Sequence, residues 1–234
     1  REDLLAELIR QAQEDLDQCL RPELEGLPVK RMLVEGDPAV EIVKASRNES
    51  ADLIMMPTHG RKGFRRFLLG SVTAKVLHDS EIPVWTGAHL EEAPSSAFAI
   101  RNVVCGVDLG PHSRNTMFWA AQMAASFHAR LTLAHITAGL DTYGPAPEWK
   151  ATLASLATQQ IAEVLANIGA TGDVVIDSGD AAKLLNQMAV QKKADLLVVG
   201  RSPSPGHLGG TGYGIIRDSR VPVVSVAGGA DAEG

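Results

Sequence analysis

Residues 57–77 read Pro-Thr-His-Gly-Arg-Lys-Gly-Phe-Arg-Arg-Phe-Leu-Leu-Gly-Ser-Val-Thr-Ala-Lys-Val-Leu. Nine residues separate Gly60 from Gly70, and Ser71 follows the second glycine at the head of an amphipathic run. That pattern suits phosphate chemistry. Glycines let backbone N–H groups approach phosphate oxygens, and a helix N-terminus favours negative charge. The Ser71 hydroxyl adds a donor, and Arg61, Lys62, Arg65 and Arg66 add positive charge to an acidic protein. The plainer alternative stays open: the glycines serve a tight turn and a helix start, the cations are a solvated face, and His59 is an exposed loop histidine. A second glycine-rich stretch, from Gly200 through Gly209, Gly210 and Thr211, carries Pro203 inside it. Asp108 ends an apolar run and reads either as a contact to a bound ligand or as a cap for the helix that follows.

Other chemistries lack their residues. There is no G-x4-G-K-[ST] loop. There is no G-x-G-x-x-G after the run ending at Asp108, which disfavours a dinucleotide enzyme. No G-x-S-x-G elbow occurs with triad partners in order. His112, His128 and His135 show no metal-ligand spacing. The two cysteines, Cys19 and Cys105, are expected to be free buried thiols in a reducing compartment.

An internal repeat supplies the elements that must position these residues. Gly36-Asp37 and Asp52-Leu-Ile-Met-Met56 recur as Gly179-Asp180 and Asp195-Leu-Leu-Val-Val199, 143 positions on. Ile82-Pro-Val-Trp85 recurs as Val221-Pro-Val-Val224, 139 positions on. In the second copy, strands are expected at 102–108, 130–136, 173–177, 195–200 and 221–226. Helices are expected at 111–129, 148–168, 181–192 and 212–219. The strands are continuous apolar runs without alternation, as in a parallel sheet covered on both faces. Asp37 and Asp180 are predicted N-caps.

This order defines an α/β fold: two doubly wound, parallel-sheet (Rossmann-like) halves in tandem. The first half shows helices at 2–20, 38–47 and 71–79, and strands at 29–34, 52–56 and 82–86. It is expected to lack strand one, helix one and strand two, because the counterpart of Asp108 would fall before the first residue. Met55 and Met56 are expected in the core. The chain starts inside a helix pattern without Met, so a shortened or processed first half is expected. The predicted domains are 1–87 and 100–228, with a linker at 88–99 and a flexible tail at 229–234.

Here the loop becomes specific. The segment after the first half's fourth strand resembles the nucleotide loop of the universal stress protein family, G-x2-G-x9-G-[ST]. Gly60, Gly70 and Ser71 match its last three fixed positions, and Pro57 stands where the first glycine belongs. The resemblance implies that Met56, Pro57, Gly60, Gly70, Ser71 and Val72 line a nucleotide site in the first half. In the second half it implies Gly106, Val107, Asp108 and Ile136, with Val199, Gly200, Gly209, Gly210 and Thr211. Pro203 replaces the second half's second glycine, and the spacing to its Gly-Thr is short, so each loop departs from the pattern. ATP, with Mg as its companion ion, is the implied ligand.

The formal charge of −6 argues against non-specific binding to nucleic acid or anionic membrane. No apolar run reaches the about 18 residues a membrane span needs. The leading expectation is a cytoplasmic, non-catalytic stress-response module. The alternatives are a slow ATPase or adenylyl-transferring enzyme of the same superfamily, or a tandem that binds partners without nucleotide. The last strands, 82–86 and 221–226, would be apolar sheet edges that invite pairing, and the resemblance implies that they pair the halves as a pseudo-dimer or support a homodimer.

Overall fold

The computed structural model describes residues 2–58, 69–87, 99–137, 147–201 and 210–228. Gly60, the 61–66 basic cluster, Pro203 and Gly209 lie outside the described residues, as do most of the linker and the 229–234 tail. The first half supplies α1 (Glu2–Gln18), α2 (Pro38–Asn48), β1 (Ile54–Met56), α3 (Ser71–Asp79) and β2 (Val84–Thr86). The second supplies β3 (Asn102–Gly106), α4 (Ser113–Ser126), β4 (Arg130–Thr137), α5 (Pro147–Asn167), β5 (Asp173–Ser178), α6 (Ala181–Gln191), β6 (Leu196–Arg201), α7 (Gly210–Asp218) and β7 (Val223–Ala227).

The strands form one seven-stranded sheet in the order β1-β2-β7-β6-β3-β4-β5. Every neighbouring pair is parallel except β2–β7, where the two halves meet antiparallel. Within the second half, the order places β3 at the point where the connections change direction: β4 lies on one side of it and β6 on the other.

The apolar runs explain the layers. Along β6, Leu196 and Val198 pack with α4 and α5, while Leu197 and Val199 pack with α6 and α7. Successive side chains point to opposite faces, so a strand covered on both faces must be apolar throughout. One core layer runs across both halves and joins Val43, Leu77 and Val84 to Leu185, Ile215 and Val223. The other lies under α4 and α5 and centres on Cys105, Met117, Leu133 and Ile161.

The repeat also sets the local turns. Asp37 Oδ1 accepts from the N–H groups of Ala39 and Val40, both at 3.1 Å, and Asp180 Oδ1 accepts from that of Lys183 at 2.9 Å. The preceding Gly36 and Gly179 have φ of +150° and +138°, which a side chain would strain. Ser80 and Ser219 hold the turn into each last strand. Their hydroxyls donate to the Ile82 and Val221 carbonyls, at 3.0 and 2.8 Å, and accept from the same residues' N–H groups.

Three expectations fail, for related reasons. Residues 29–34 form no strand, and Val29, Leu33 and Val34 are exposed. Their second-half counterpart, β5, is held by β4, and no described strand stands in that place beside 29–34. Met55 is 66% exposed, whereas its counterpart Val198 is fully buried under α4. No described helix covers that face of β1, and α1 leaves Leu4, Leu5, Leu8 and Ile9 exposed. Cys19 lies just past α1 and is exposed; only Cys105 is buried.

Candidate functional site

The carboxyl ends of β3, β4 and β6 converge at the change of direction in the second half. Open α/β sheets bind ligands outside such strand ends. Gly106 pairs with Ala134 of β4 on one side and Val199 of β6 on the other. A Cβ at Gly106 would come within 2.8 Å of Leu185 Cδ1, so the Leu185 side chain on α6 packs directly against this position. Gly200 is similarly constrained: a Cβ there would lie 2.9 Å from Thr116 Oγ1 on α4.

Beyond β3 the chain turns through Asp108. Its Oδ1 accepts from the Gly110 N–H at 3.0 Å and from the Ser113 hydroxyl at 2.5 Å, at the entry to α4. Burial alone would raise this carboxyl. The hydrogen bonds from Ser113 and Gly110, with a contribution from nearby His135, outweigh it and hold Asp108 below the ordinary carboxylate range. The capping reading of Asp108 therefore describes Oδ1. The Val107 N–H donates to the Ala134 carbonyl at 2.8 Å. His135 Nδ1 lies 2.8 Å from the Val107 carbonyl, and because a carbonyl only accepts, that nitrogen carries the proton. The carboxyl ends of β3 and β4 are thus held together by backbone and side-chain bonds.

Val107 and Val199 are buried, Ile136 is half-buried, and Asp108, Gly200 and Thr211 are exposed. Gly210 opens α7. The structure brings Gly106, Val107, Asp108, Ile136, Val199 and Gly200 to one edge of the sheet. The sequence reading missed Ser113, Thr116 and His135, which hold these residues in place. Ser113 carried a signal, a hydroxyl at the head of a helix five residues after the acid.

The first half places fewer of its residues together. Gly70 is the N-cap of α3, and its N–H donates to the Thr58 carbonyl at 2.8 Å. Thr73 Oγ1 donates to the Pro57 carbonyl at 3.0 Å. These bonds tie the start of α3 to the end of β1, so Met56, Pro57, Gly70, Ser71 and Val72 are near one another. Among the described residues, no strand stands beside β1 where β3 stands beside β6.

A contact between the halves lies at the root of the second loop. Arg201 ends β6, and its guanidinium donates to the Leu77, Ser80 and Ile82 carbonyls at the end of α3, with Ser80 at 3.0 Å and Ile82 at 2.9 Å. Burial pulls it down to about 10, so it remains a cation at neutral pH. Among the described residues, no group of three or more His, Cys, Asp or Glu side chains could hold a metal ion. None of the described helices is long and apolar enough to cross a membrane.

A doubly wound α/β tandem, with its strand ends converging at the switch in the second half and a glycine at the start of α3 and of α7, defines the class of Rossmann-like tandem modules. The model of the Universal stress protein family matches residues 1–86 and 99–227, and the chain belongs to that family. It is 43% identical over 67 residues to Universal stress protein MJ0577 of Methanocaldococcus jannaschii, covering 28% of this chain and 41% of that protein. It is 38% identical over 84 residues to MJ0531 of the same organism, covering 35% and 49%. These matches span about half the length of those relatives or less. Among solved structures, a universal stress protein from Archaeoglobus fulgidus superposes with a TM-score of 0.71 at 25% identity, covering 98% of this chain and 79% of that one.

Proposed function

We propose that this universal stress protein binds an adenine nucleotide in its second half, at the carboxyl ends of β3, β4 and β6. The observation that carries the reading is the strand switch, where Val107-Asp108 follow β3 beside Val199-Gly200 near the end of β6. Asp108 would receive a ribose hydroxyl on Oδ2, since Ser113 and Gly110 engage Oδ1. Val107 and Ile136 would flank the base. Gly200, Gly209, Gly210 and Thr211 would present backbone N–H groups and a hydroxyl to the phosphates at the start of α7. Mg would arrive on the nucleotide phosphates, because no protein cluster among the described residues supplies its ligands.

In the first half, Met56, Pro57, Gly60, Gly70, Ser71 and Val72 would form the corresponding phosphate side of a site. The domain limits 1–87 and 100–228 belong to the same proposal, as does a cytoplasmic, non-catalytic role in which nucleotide occupancy biases partner contacts.

The test is mass spectrometry of small molecules released on denaturing freshly purified protein, with thermal melts in Mg-ATP. Ligand at about 100 times its dissociation constant adds about 2.7 kcal/mol, which at about 2–4 °C per kcal/mol raises the midpoint by several degrees. The shift should disappear in Asp108→Ala. Absence of both nucleotide and shift would overturn the proposal and leave a tandem that binds partners without nucleotide.

A further inference from the structure

The repeat allows the charge around the second half's strand ends to be compared with its counterpart. In the first half, residues 59–75 carry Arg61, Lys62, Arg65, Arg66 and Lys75 and no Asp or Glu. The equivalent stretch of the second half, 202–214, carries no Lys, Arg, Asp or Glu. The fall in the repeat offset from 143 to 139 positions also removes four residues there.

Arg201, at the root of this stretch, does not replace the lost cations. Its guanidinium donates to the Leu77, Ser80 and Ile82 carbonyls of the first half. The other helices that leave the strand ends bring balanced charge. Arg114 lies in the first turn of α4, next to Asp108, whose carboxyl is held below the ordinary range. Lys183 shares the start of α6 with its cap, Asp180. Glu148 and Lys150 both lie in the first turn of α5.

What remains for a phosphate is the start of α7, Gly210-Thr211-Gly212, with the N–H groups that a helix start leaves free. A helix start is equivalent to about half a positive charge. A phosphate monoester carries about −1.5 to −2 at pH 7, so one phosphate already exceeds what the helix start neutralises. Each further phosphate adds negative charge beside the Asp108 carboxylate, and the loop supplies no cation to answer it.

We propose that the second half's site selects a nucleoside monophosphate: it holds the nucleoside and one phosphate, and the outer phosphates of a triphosphate weaken binding. This rests on the adenine-nucleotide reading above and names the ligand class within it.

Isothermal titration calorimetry of the full chain with adenosine, AMP and ATP tests it, in EDTA so that Mg does not cancel part of the ATP charge. AMP should bind more tightly than adenosine, and about tenfold more tightly than ATP, the scale on which uncompensated charge acts. The response should vanish in Asp108→Ala, which separates it from any ATP taken up by the basic stretch of the first half. Gly212→Arg supplies the missing cation. A Cβ at Gly212 meets nothing within 4 Å, helical side chains lean toward the N-terminus, and Arg is a better helix former than Gly. That variant should reverse the order, with ATP bound at least as tightly as AMP. If Asp108→Ala does not fold, Gly212→Arg assigns the response, because it changes only the second half.

Wild-type protein that binds ATP more tightly than AMP, in a response that either variant alters, would overturn the proposal and leave a triphosphate site. Adenosine bound as tightly as AMP would also overturn it, because the phosphate would go unread. No binding of any of the three at about 1 mM would instead sink the adenine-nucleotide reading, and this inference with it.

Discussion

Trp85 of β2 lies directly opposite Val224 of β7, the residue that stands 139 positions later in the repeat. Val84 faces Ser225 and Thr86 faces Val223, so the register maps each residue onto its mate's counterpart. A local two-fold axis therefore passes between Trp85 and Val224. Val224→Pro removes a backbone donor at that axis, a change that costs about 3 kcal/mol or more inside an ordered element. Thermal melts should show the loss, with a change in tryptophan emission as Trp85 leaves its place against the second half's core. Unchanged emission and midpoint would argue against this pairing.

Arg201 makes the two-fold imperfect, because its counterpart in the first half is Thr58. Arg201→Met would leave the Leu77, Ser80 and Ile82 carbonyls without their charged donor. A hydrogen bond to a charged group contributes a net of about 1.5–3 kcal/mol, and three that share one partly desolvated guanidinium do not add in full. A net loss of about 2–3 kcal/mol, or about 5–10 °C in the midpoint, is expected. Arg201→Lys should recover only part of it, since an ammonium cannot span three carbonyls with a planar fork.

Gly200→Ala forces a Cβ to within 2.9 Å of Thr116 Oγ1. Thr116 is buried on α4, so the clash falls on packed structure and should cost about 1–3 kcal/mol. The double variant Gly200→Ala with Thr116→Ser keeps the hydroxyl and should recover little. Gly200→Ala with Thr116→Ala should recover most of the stability, as denaturant melts would report.

The acid side of the stability profile should depend on Asp108. Its carboxyl is held below the ordinary range in the folded chain, so its stabilising contribution is present above the unfolded value of about 3.9 and is lost as pH falls through the lower folded value. Asp108→Asn should melt below the wild type at pH 7, and the gap should narrow as pH falls below about 4. A gap independent of pH would mean that the ionised form contributes nothing.

The two thiols should behave oppositely. Cys19 is exposed and should react with a thiol reagent in the native protein. Burial pushes Cys105 up to about 12, so it should react only after denaturation. Its raised value favours the folded state below the ordinary thiol range, and that contribution is lost as pH rises toward about 12. Reagent titration with and without denaturant should count one thiol and then two.

Much of this architecture was legible in the residues. The repeat, the parallel order and both Asp N-caps follow from short-range rules: apolar period, capping acid, glycine before the cap. The pairing of the last strands was implied by the family resemblance, which the antiparallel β2–β7 ladder bears out. Residues 29–34, Met55 and Cys19 were misread because strand propensity and apolar character do not specify a neighbour. A strand needs a ladder partner and an apolar side chain needs a covering layer, and both come from residues distant in the chain. The glycines at 106 and 200 were singled out for a ligand, but only the tertiary structure showed Leu185 and Thr116 pressing against them. The Arg201 contacts and the two-fold at Trp85 were likewise decided in three dimensions. Each depends on which distant backbone or side chain arrives opposite, and no local pattern encodes that meeting.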